Sequence, residues 1–376
     1  MVENHEVMKV VINTRCLNQG LTGVQRFTSE LIREWLLIEE IGLVHIPYSG
    51  LLGHFLEQFF LSTLVDGVLL SPANTGPLGF DRQIIVIHDV ATFDEPRWFS
   101  GSFALLYRCL TPTLCRTASV VVTVSDFSKQ RIIRNLGLPK EKIVVVYNGM
   151  ITGGDYVPFP NRAKTLVYLG SLEPRKNLHR LIEAWKLVVA DGWQLVVVGG
   201  SSKLFADNEF PVDLPVGLKF LGRLNDGDLD KLIRSSRGLV YVSLYEGFGL
   251  PPLEAMAKGC PVLVSVCGAL PEVCGLPFAS DLSLEPFWRD LEEGREIPGI
   301  PYGYSPGKIS RFGSAIYCNP YSVQSIAEGL IAMQKLDRVK FECLVENGRR
   351  NSGRFTWSKT VSEIRDLVRC FEFKVI

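Results

Sequence analysis

The stretch MITGGDYVPFPNR (150–162) decides how this 376-residue chain is divided. It holds two glycines and two prolines and has no hydrophobic period, so it reads as a linker rather than a helix or strand. Before it, short apolar runs rich in β-branched residues recur as KVVINTR (9–15), GVLLS (67–71), QIIVIHDV (83–90), SVVVTVS (119–125) and KIVVVYNG (142–149). Near-continuous apolar runs of this kind suit parallel strands covered on both faces. Helical patterns fall between them at 24–38, 102–117 and 126–136. After the linker the pattern restarts, with strands expected at 165–171, 194–200, 218–222, 238–245, 261–266 and 315–319. Helices are expected there at 177–191, 226–237, 251–259 and 322–335. Strands alternating with helices build βαβ units, so the expected class is α/β, with two doubly wound, Rossmann-like domains facing a central cleft. Their expected limits are 1–155, joined by a C-terminal helix at about 356–376, and 163–355. A long Pro- and Gly-rich segment, 276–314, interrupts the second half, and its length marks a functional or unstructured loop.

Basic and acidic residues balance at 40 each, so bulk charge gives no case for nucleic acid. Nine cysteines include no Cys-x-x-Cys pair and no secretory leader is evident, which predicts reduced thiols and a cytoplasmic protein. No apolar run reaches the ~18 residues of a membrane span, which leaves peripheral contact with the inner face of the membrane as the open mode. The candidate for it is PRWFSGSFALLYRCLTPTLCR (96–116), with Arg97, Arg108 and Arg116 among aromatics and leucines. The competing reading is a partly buried helix packed on the first sheet.

YEGFGLPPLEAMAKG (245–259) joins the end of a strand to a helix expected to start near Pro251, because proline suits a first turn whose N–H groups have no helical partner. Gly247 and Gly249 allow tight backbone geometry, and the N–H groups of Phe248, Gly249 and Leu250 suit a phosphate or diphosphate. A glycine-rich loop that merely turns the chain has the same composition. Glu246 and Glu254 stand eight positions apart, which across a continuous helix is about 12 Å. Glycosidase carboxyl pairs sit about 5–9.5 Å apart, so the spacing favours two grips on one long ligand over a hydrolytic pair. A sugar nucleotide has that layout: sugar hydroxyls, diphosphate, ribose. Arg175 and Lys176, in LEPRKN (172–177), supply a planar fork and a point charge for phosphate oxygens at a strand end.

With YLGSLEPRKNLHRLIEAW (168–185) and SLYEGFGLPPLEAMAKGCPVLVS (243–265) in view, the chain resembles the retaining, GT-B-fold glycosyltransferases of the glycogen-synthase-like group, family 4. NTRCLNQGLTGVQRFTSELI (13–32), IIVIHDV (84–90) and FTWSKTVSEIRDLVRCF (355–371) extend the likeness over nearly the full length. The resemblance implies that Glu246 faces the donor sugar, Glu254 the ribose, and Phe248, Gly249 and Leu250 the sugar or diphosphate through their backbone. Lys176 matches the family's diphosphate lysine. Where the family has Gly-Arg, this chain has Gly170-Ser171, and Arg175 is the candidate replacement for that arginine. Gly23 would approach the donor phosphates, and His88 would stand near the anomeric carbon. Read from its surroundings alone, a histidine at the end of an apolar strand is more often a packed, hydrogen-bonded residue than a catalyst, and His88 is raised above that only by the match and its strand-end position.

The acids of NDGDLDKL (225–232) offer a rival, metal-holding motif, but their place before an amphipathic helix fits capping and the macrodipole, so no metal or other cofactor is expected. The implied reaction moves a hexose, mannose first, from a nucleoside-diphosphate sugar such as GDP-mannose to a glycan or lipid-linked glycan in surface polysaccharide synthesis. UDP sugars remain open as donors. An epimerase, or a sugar-nucleotide-binding protein without catalysis, is the alternative on the same fold. A dehydrogenase is disfavoured, since neither half opens on a GxGxxG turn.

Overall fold

The computed structural model describes residues 9–18, 22–151, 153, 156–188, 190–200, 214–275 and 313–372. Nearly all of the segment 276–314 lies outside them. The chain splits into two compact units, Met1–Met150 with Phe355–Ile376, and Ile151–Arg354.

The first unit holds a parallel six-stranded sheet in the order β2-β1-β3-β4-β5-β6. Its strands are β1 (Val10–Asn13), β2 (Gly42–Val44), β3 (Val68–Ser71), β4 (Gln83–Ile87), β5 (Val120–Thr123) and β6 (Ile143–Val145). All but β2 coincide with the apolar runs; β2 is three residues long and buries only Val44, so it carries no pattern. Ile85, Ile87, Leu114, Val121, Ile132 and Ile143 form one of its cores, each fully buried aliphatic contributing about 1.5–3 kcal/mol. Helix Asp126–Leu136 is capped at both ends: the Ser125 side chain accepts the Ser128 N–H at 3.0 Å, and Gly137 ends the helix at φ 63°.

Two helices of this unit carry information about surfaces. Gly101–Thr117 buries only Ala104, Thr111, Leu114 and Cys115, the partly buried helix of the competing reading. Gly50–Phe59, which no periodicity announced, is inverted: it buries Gly53, Glu57 and Gln58 and exposes Leu51, Leu52, Phe55 and Phe59. The helix Trp357–Glu372 completes the unit. Met150 and Thr356 form a parallel bridge, Trp357 packs on Phe27 at 5.7 Å, and Arg365 grips Glu39 at 2.9 and 2.8 Å.

The second unit holds β7 (Ala163–Leu169), β8 (Gln194–Val198), β9 (Leu218–Gly222), β10 (Ser236–Tyr241), β11 (Val262–Ser265) and β12 (Ile316–Cys318), all parallel. Their order is β12-β11-β10-β7-β8-β9. Leu166, Trp185, Leu195, Val240, Leu263 and Leu330 centre its main core. Among the described residues, no helix is long and apolar enough to cross a membrane.

Candidate functional site

In the second sheet the chain runs outward from β7 to β8 and β9, then returns to place β10 on the other side of β7. The carboxyl ends of β7 and β10 therefore flank the point where strand order reverses, the usual ligand crevice of an open α/β sheet. The loop after β7 carries Arg175 and Lys176, and the loop after β10 carries Glu246. Strand order thus brings together residues 70 positions apart.

Lys176 Nζ donates to Glu246 Oε1 at 2.6 Å and to the Tyr241 hydroxyl oxygen at 2.7 Å, with the Tyr241 ring centroid 5.0 Å away. Arg175 Nη1 lies 3.5 Å from Glu246 Oε2. The side chains of Lys176 and Glu246 are each 10% exposed, so water screens this pair little. Burial alone would raise the Glu246 carboxyl, but the charges of Lys176 and Arg175 outweigh it and hold the carboxyl below its ordinary value. Burial lowers the Lys176 ammonium by more than Glu246 restores, and Arg175 adds to the lowering. The two shifts thus disagree on whether the pair favours its charged state. Arg175 resolves this, because it attracts the carboxylate and repels the ammonium. Burial, with Glu246 beside it, pushes the Tyr241 hydroxyl well up, so it stays protonated.

Backbone contacts hold the two loops in register. Leu244 N–H donates to the Arg175 carbonyl at 2.7 Å, and Ala269 N–H donates to the Glu246 carbonyl at 2.9 Å. Gly268, at φ 65°, is the one residue type that fits beside them, since a Cβ there would sit 2.6 Å from the Glu246 backbone N and O. Asn177, left-handed at φ 61°, donates from Nδ2 to the carbonyls of Val242 and Pro320 at 3.0 and 2.8 Å. It ties the loop carrying Lys176 to the ends of β10 and β12. Sequence reasoning did not single it out, although an Asn directly after a cationic pair at a strand end is the available signal.

The helix after Glu246 spans Leu250–Ala257, one residue earlier than expected, with Gly249 as its left-handed N-cap at φ 107°. Of the four leading positions, Pro251 and Pro252 have no N–H, which leaves Gly249 and Leu250 as the donors. Phe248 and Gly249 are buried. Glu254 stands half-buried at the start of the helix's second turn. Glu246 lies outside the helix, so the continuous-helix spacing of the two glutamates does not apply. Gly170 extends the β7–β8 ladder by donating to the Val198 carbonyl at 3.1 Å, and the Ser171 carbonyl accepts from the Tyr168 hydroxyl at 3.4 Å.

His88 and Gly23 belong to the first unit. His88 follows β4 and is 8% exposed; its Nε2 is 2.8 Å from the Pro72 carbonyl, which only accepts, so the ring proton sits on Nε2. Burial lowers the ring's pKa against the opposing pull of that carbonyl and of Asp89, which makes it a neutral imidazole at pH 7. Phe27 meets it edge-on at 4.9 Å. Gly23 opens helix Gly23–Trp35, and a Cβ there would meet no atom within 4 Å. At this sheet's own reversal point, between β1 and β3, lies a buried cluster that sequence reasoning missed. Arg15 Nε is 3.0 Å from Glu57 Oε2, and Asn13 Nδ2 donates to Glu57 Oε1 at 2.7 Å. No spacing announces it, because Glu57 comes from the inverted helix.

The acids at 226–230 take structural partners. Asn225, not an aspartate, caps helix Asp226–Ser235, with Asp226 and Asp228 in its first turn. Asp230 pairs with Arg234 at 2.6 Å and Lys258 at 3.1 Å.

Comparison with known proteins agrees with this architecture. The model described as "Glycosyl transferases group 1" matches residues 156–276, and "Glycosyltransferase Family 4" matches residues 80–152. O-antigen chain mannosyltransferase B of Escherichia coli is 28% identical over 340 residues, covering 71% of this chain and 85% of that protein. O-antigen chain mannosyltransferase RfbU of Salmonella typhimurium is 32% identical over 187 residues, covering 49% of this chain and 52% of that protein. Among solved structures, Anabaena Alr3699/HepE in complex with UDP and glucose superposes with a TM-score of 0.66 at 16% identity, over 96% of this chain and 100% of that one. WaaG, a glycosyltransferase involved in lipopolysaccharide biosynthesis, gives 0.66 at 14% identity over 96% and 99%. At such identities the superpositions establish the fold alone. The chain thus carries a glycosyltransferase family 4 domain followed by a glycosyl transferases group 1 domain, on the two-sheet GT-B fold.

Proposed function

We propose that the chain is a retaining hexosyltransferase that moves mannose from GDP-mannose to a growing glycan, free or lipid-linked, in surface polysaccharide synthesis. The observation that carries the reading is the buried Lys176–Glu246 pair, with half-buried Arg175 beside it, at the strand-order reversal of the second sheet. Two cations and a carboxylate at one crevice suit a diphosphate joined to a polyol. The mannosyl choice rests on the O-antigen mannosyltransferases among the relatives.

In this reading Lys176, Arg175 and the N–H groups of Gly249 and Leu250 stabilise charge developing on the departing diphosphate. Glu246 orients the sugar, Glu254 the ribose, Gly23 approaches the phosphates, and neutral His88 stands by the transferred carbon. No covalent nucleophile is assigned. The acceptor hydroxyl attacks from the face the leaving group departs, and the leaving oxygen takes its proton. No metal has a role, so EDTA leaves binding unchanged. The uncharged outer face formed by Leu51, Phe55, Phe59, Phe60 and Leu64 is the membrane-contacting surface, in place of 96–116.

The test is a thermal-shift series with GDP, UDP, GDP-mannose and UDP-glucose, with and without EDTA. A ligand at about 100 times its Kd adds roughly 2.7 kcal/mol of stability. Stabilisation by guanine nucleotides that is lost in Glu254→Ala supports the reading, whereas no shift with any nucleotide sinks it.

A further inference from the structure

We propose that Glu246 is the internal counter-ion of the diphosphate-binding cations, so that a nucleotide binds tightly only when its sugar draws the carboxylate off Lys176 and Arg175. The inference rests on the reading of those cations as diphosphate ligands and adds a selectivity to it: donor over spent nucleotide.

The geometry leads there in steps. Glu246 spends one oxygen on each cation, Oε1 on Lys176 at 2.6 Å and Oε2 on Arg175 at 3.5 Å. An incoming diphosphate brings further negative charge to the same two cations, beside a pair so little exposed that screening is weak. The carboxylate must then protonate or turn away. Protonation is opposed by the lowered pKa of Glu246. Its backbone is pinned by Ala269 N–H and by the close approach of Gly268, so the side chain alone is left to move. Sugar hydroxyls are the donors that reward such a rotation; a nucleoside diphosphate has none to offer at that position. Tyr241 keeps Lys176 in place meanwhile, because its hydroxyl oxygen lies 2.7 Å from Nζ and its ring lies alongside. After transfer the sugar is gone, Glu246 returns to the cations, and the nucleotide is released.

Isothermal titration of the full chain decides it, using pyrophosphate, GDP, UDP, GDP-mannose and UDP-glucose as probes against wild type and Glu246→Gln, with each protein's melting curve as a folding control. Wild type should bind one nucleotide sugar at least about tenfold tighter than its nucleoside diphosphate. Glu246→Gln should bind that diphosphate and pyrophosphate at least about tenfold tighter than wild type and lose the preference, well within what removing a unit charge about 5 Å from an anion delivers. Unchanged or weaker diphosphate binding in a folded Glu246→Gln overturns the proposal and leaves the donor reading standing. If no probe binds either protein, both fall. Should Glu246→Gln not fold, Glu246→Asp, which withdraws the charge by one methylene, must shift diphosphate affinity in the same direction, and a shift the other way overturns the proposal.

Discussion

Replacing Lys176 with Met strips Glu246 of its nearer cation while leaving the carboxylate buried. Removing one partner of a buried ion pair costs about 3–5 kcal/mol, because the survivor keeps its desolvation without its compensation. Arg175, 3.5 Å from the other carboxylate oxygen, retains part of that compensation, so we take the lower end, about 3 kcal/mol. In a domain the size of Ile151–Arg354 each kcal/mol moves the midpoint by about 2–4 °C, so the second unit should melt about 6–12 °C lower. The double variant Lys176→Met/Glu246→Gln leaves no charge stranded and should recover most of that loss, yet neither variant should transfer sugar. Scanning calorimetry is the assay, since two units need not unfold as one transition. A single variant melting within about 2 °C of wild type, or a double variant no more stable than the single, would show that water reaches the pair and would refute the reasoning.

Three further outcomes follow from the same geometry. His88 has a folded pKa below its unfolded value, so as pH falls from about 6.5 the unfolded state takes up the proton first and stability is lost towards the folded pKa, by up to about 1.4 kcal/mol per pH unit. His88→Gln keeps a donor for Pro72 and should flatten that slope in pH-dependent melting of the first unit; the lowered pKa of His54 acts alike in both proteins and cancels in the difference. Gly268→Ala places a methyl against the Glu246 backbone at a left-handed position and should cost at least about 1–2 kcal/mol in denaturant titration, with transfer falling further than stability explains. Gly23→Ala meets open space and should leave melting within about 0.5 kcal/mol of wild type; if Gly23 approaches the donor phosphates, it should still raise the KM for donor.

Much of this was legible in the residues, and the exceptions have physical causes. Ten of the strands are buried on both faces or nearly so, which is why their apolar runs show as uninterrupted stretches; the edge strand β9 was legible too, despite its exposed alternate residues, whereas the three residues of β2 depend on neighbours more than on their own composition. The helix Gly50–Phe59 hid because its apolar residues face outward and its one acid turns inward to Arg15, the reverse of the usual amphipathic rule. At the site, the residue types in LEPRKN and YEGFG announced phosphate and sugar chemistry separately. Their ion pair needed strand order, because only the return of β10 to the flank of β7 sets Lys176 against Glu246. The capping role at 225–230 was visible, but Asn225 took it in place of an aspartate, since its side chain reaches the Asp228 N–H at 2.9 Å.

The interruption of the first unit has a consequence for how the protein is made. Its closing helix is translated about 200 residues after Met150, so a ribosome adding about 5–20 residues per second separates the two pieces by about 10–40 s. Through that interval Phe27 lacks Trp357 and Tyr147 lacks Phe355, while the second unit is synthesised without a break from Ile151 to Arg354. The ring that packs on His88 is therefore the last to gain its backing. A nascent chain can finish the sheet that carries Lys176 and Glu246 while the His88 side still waits for the helix Trp357–Glu372, and activity should emerge only after that helix has packed on Phe27.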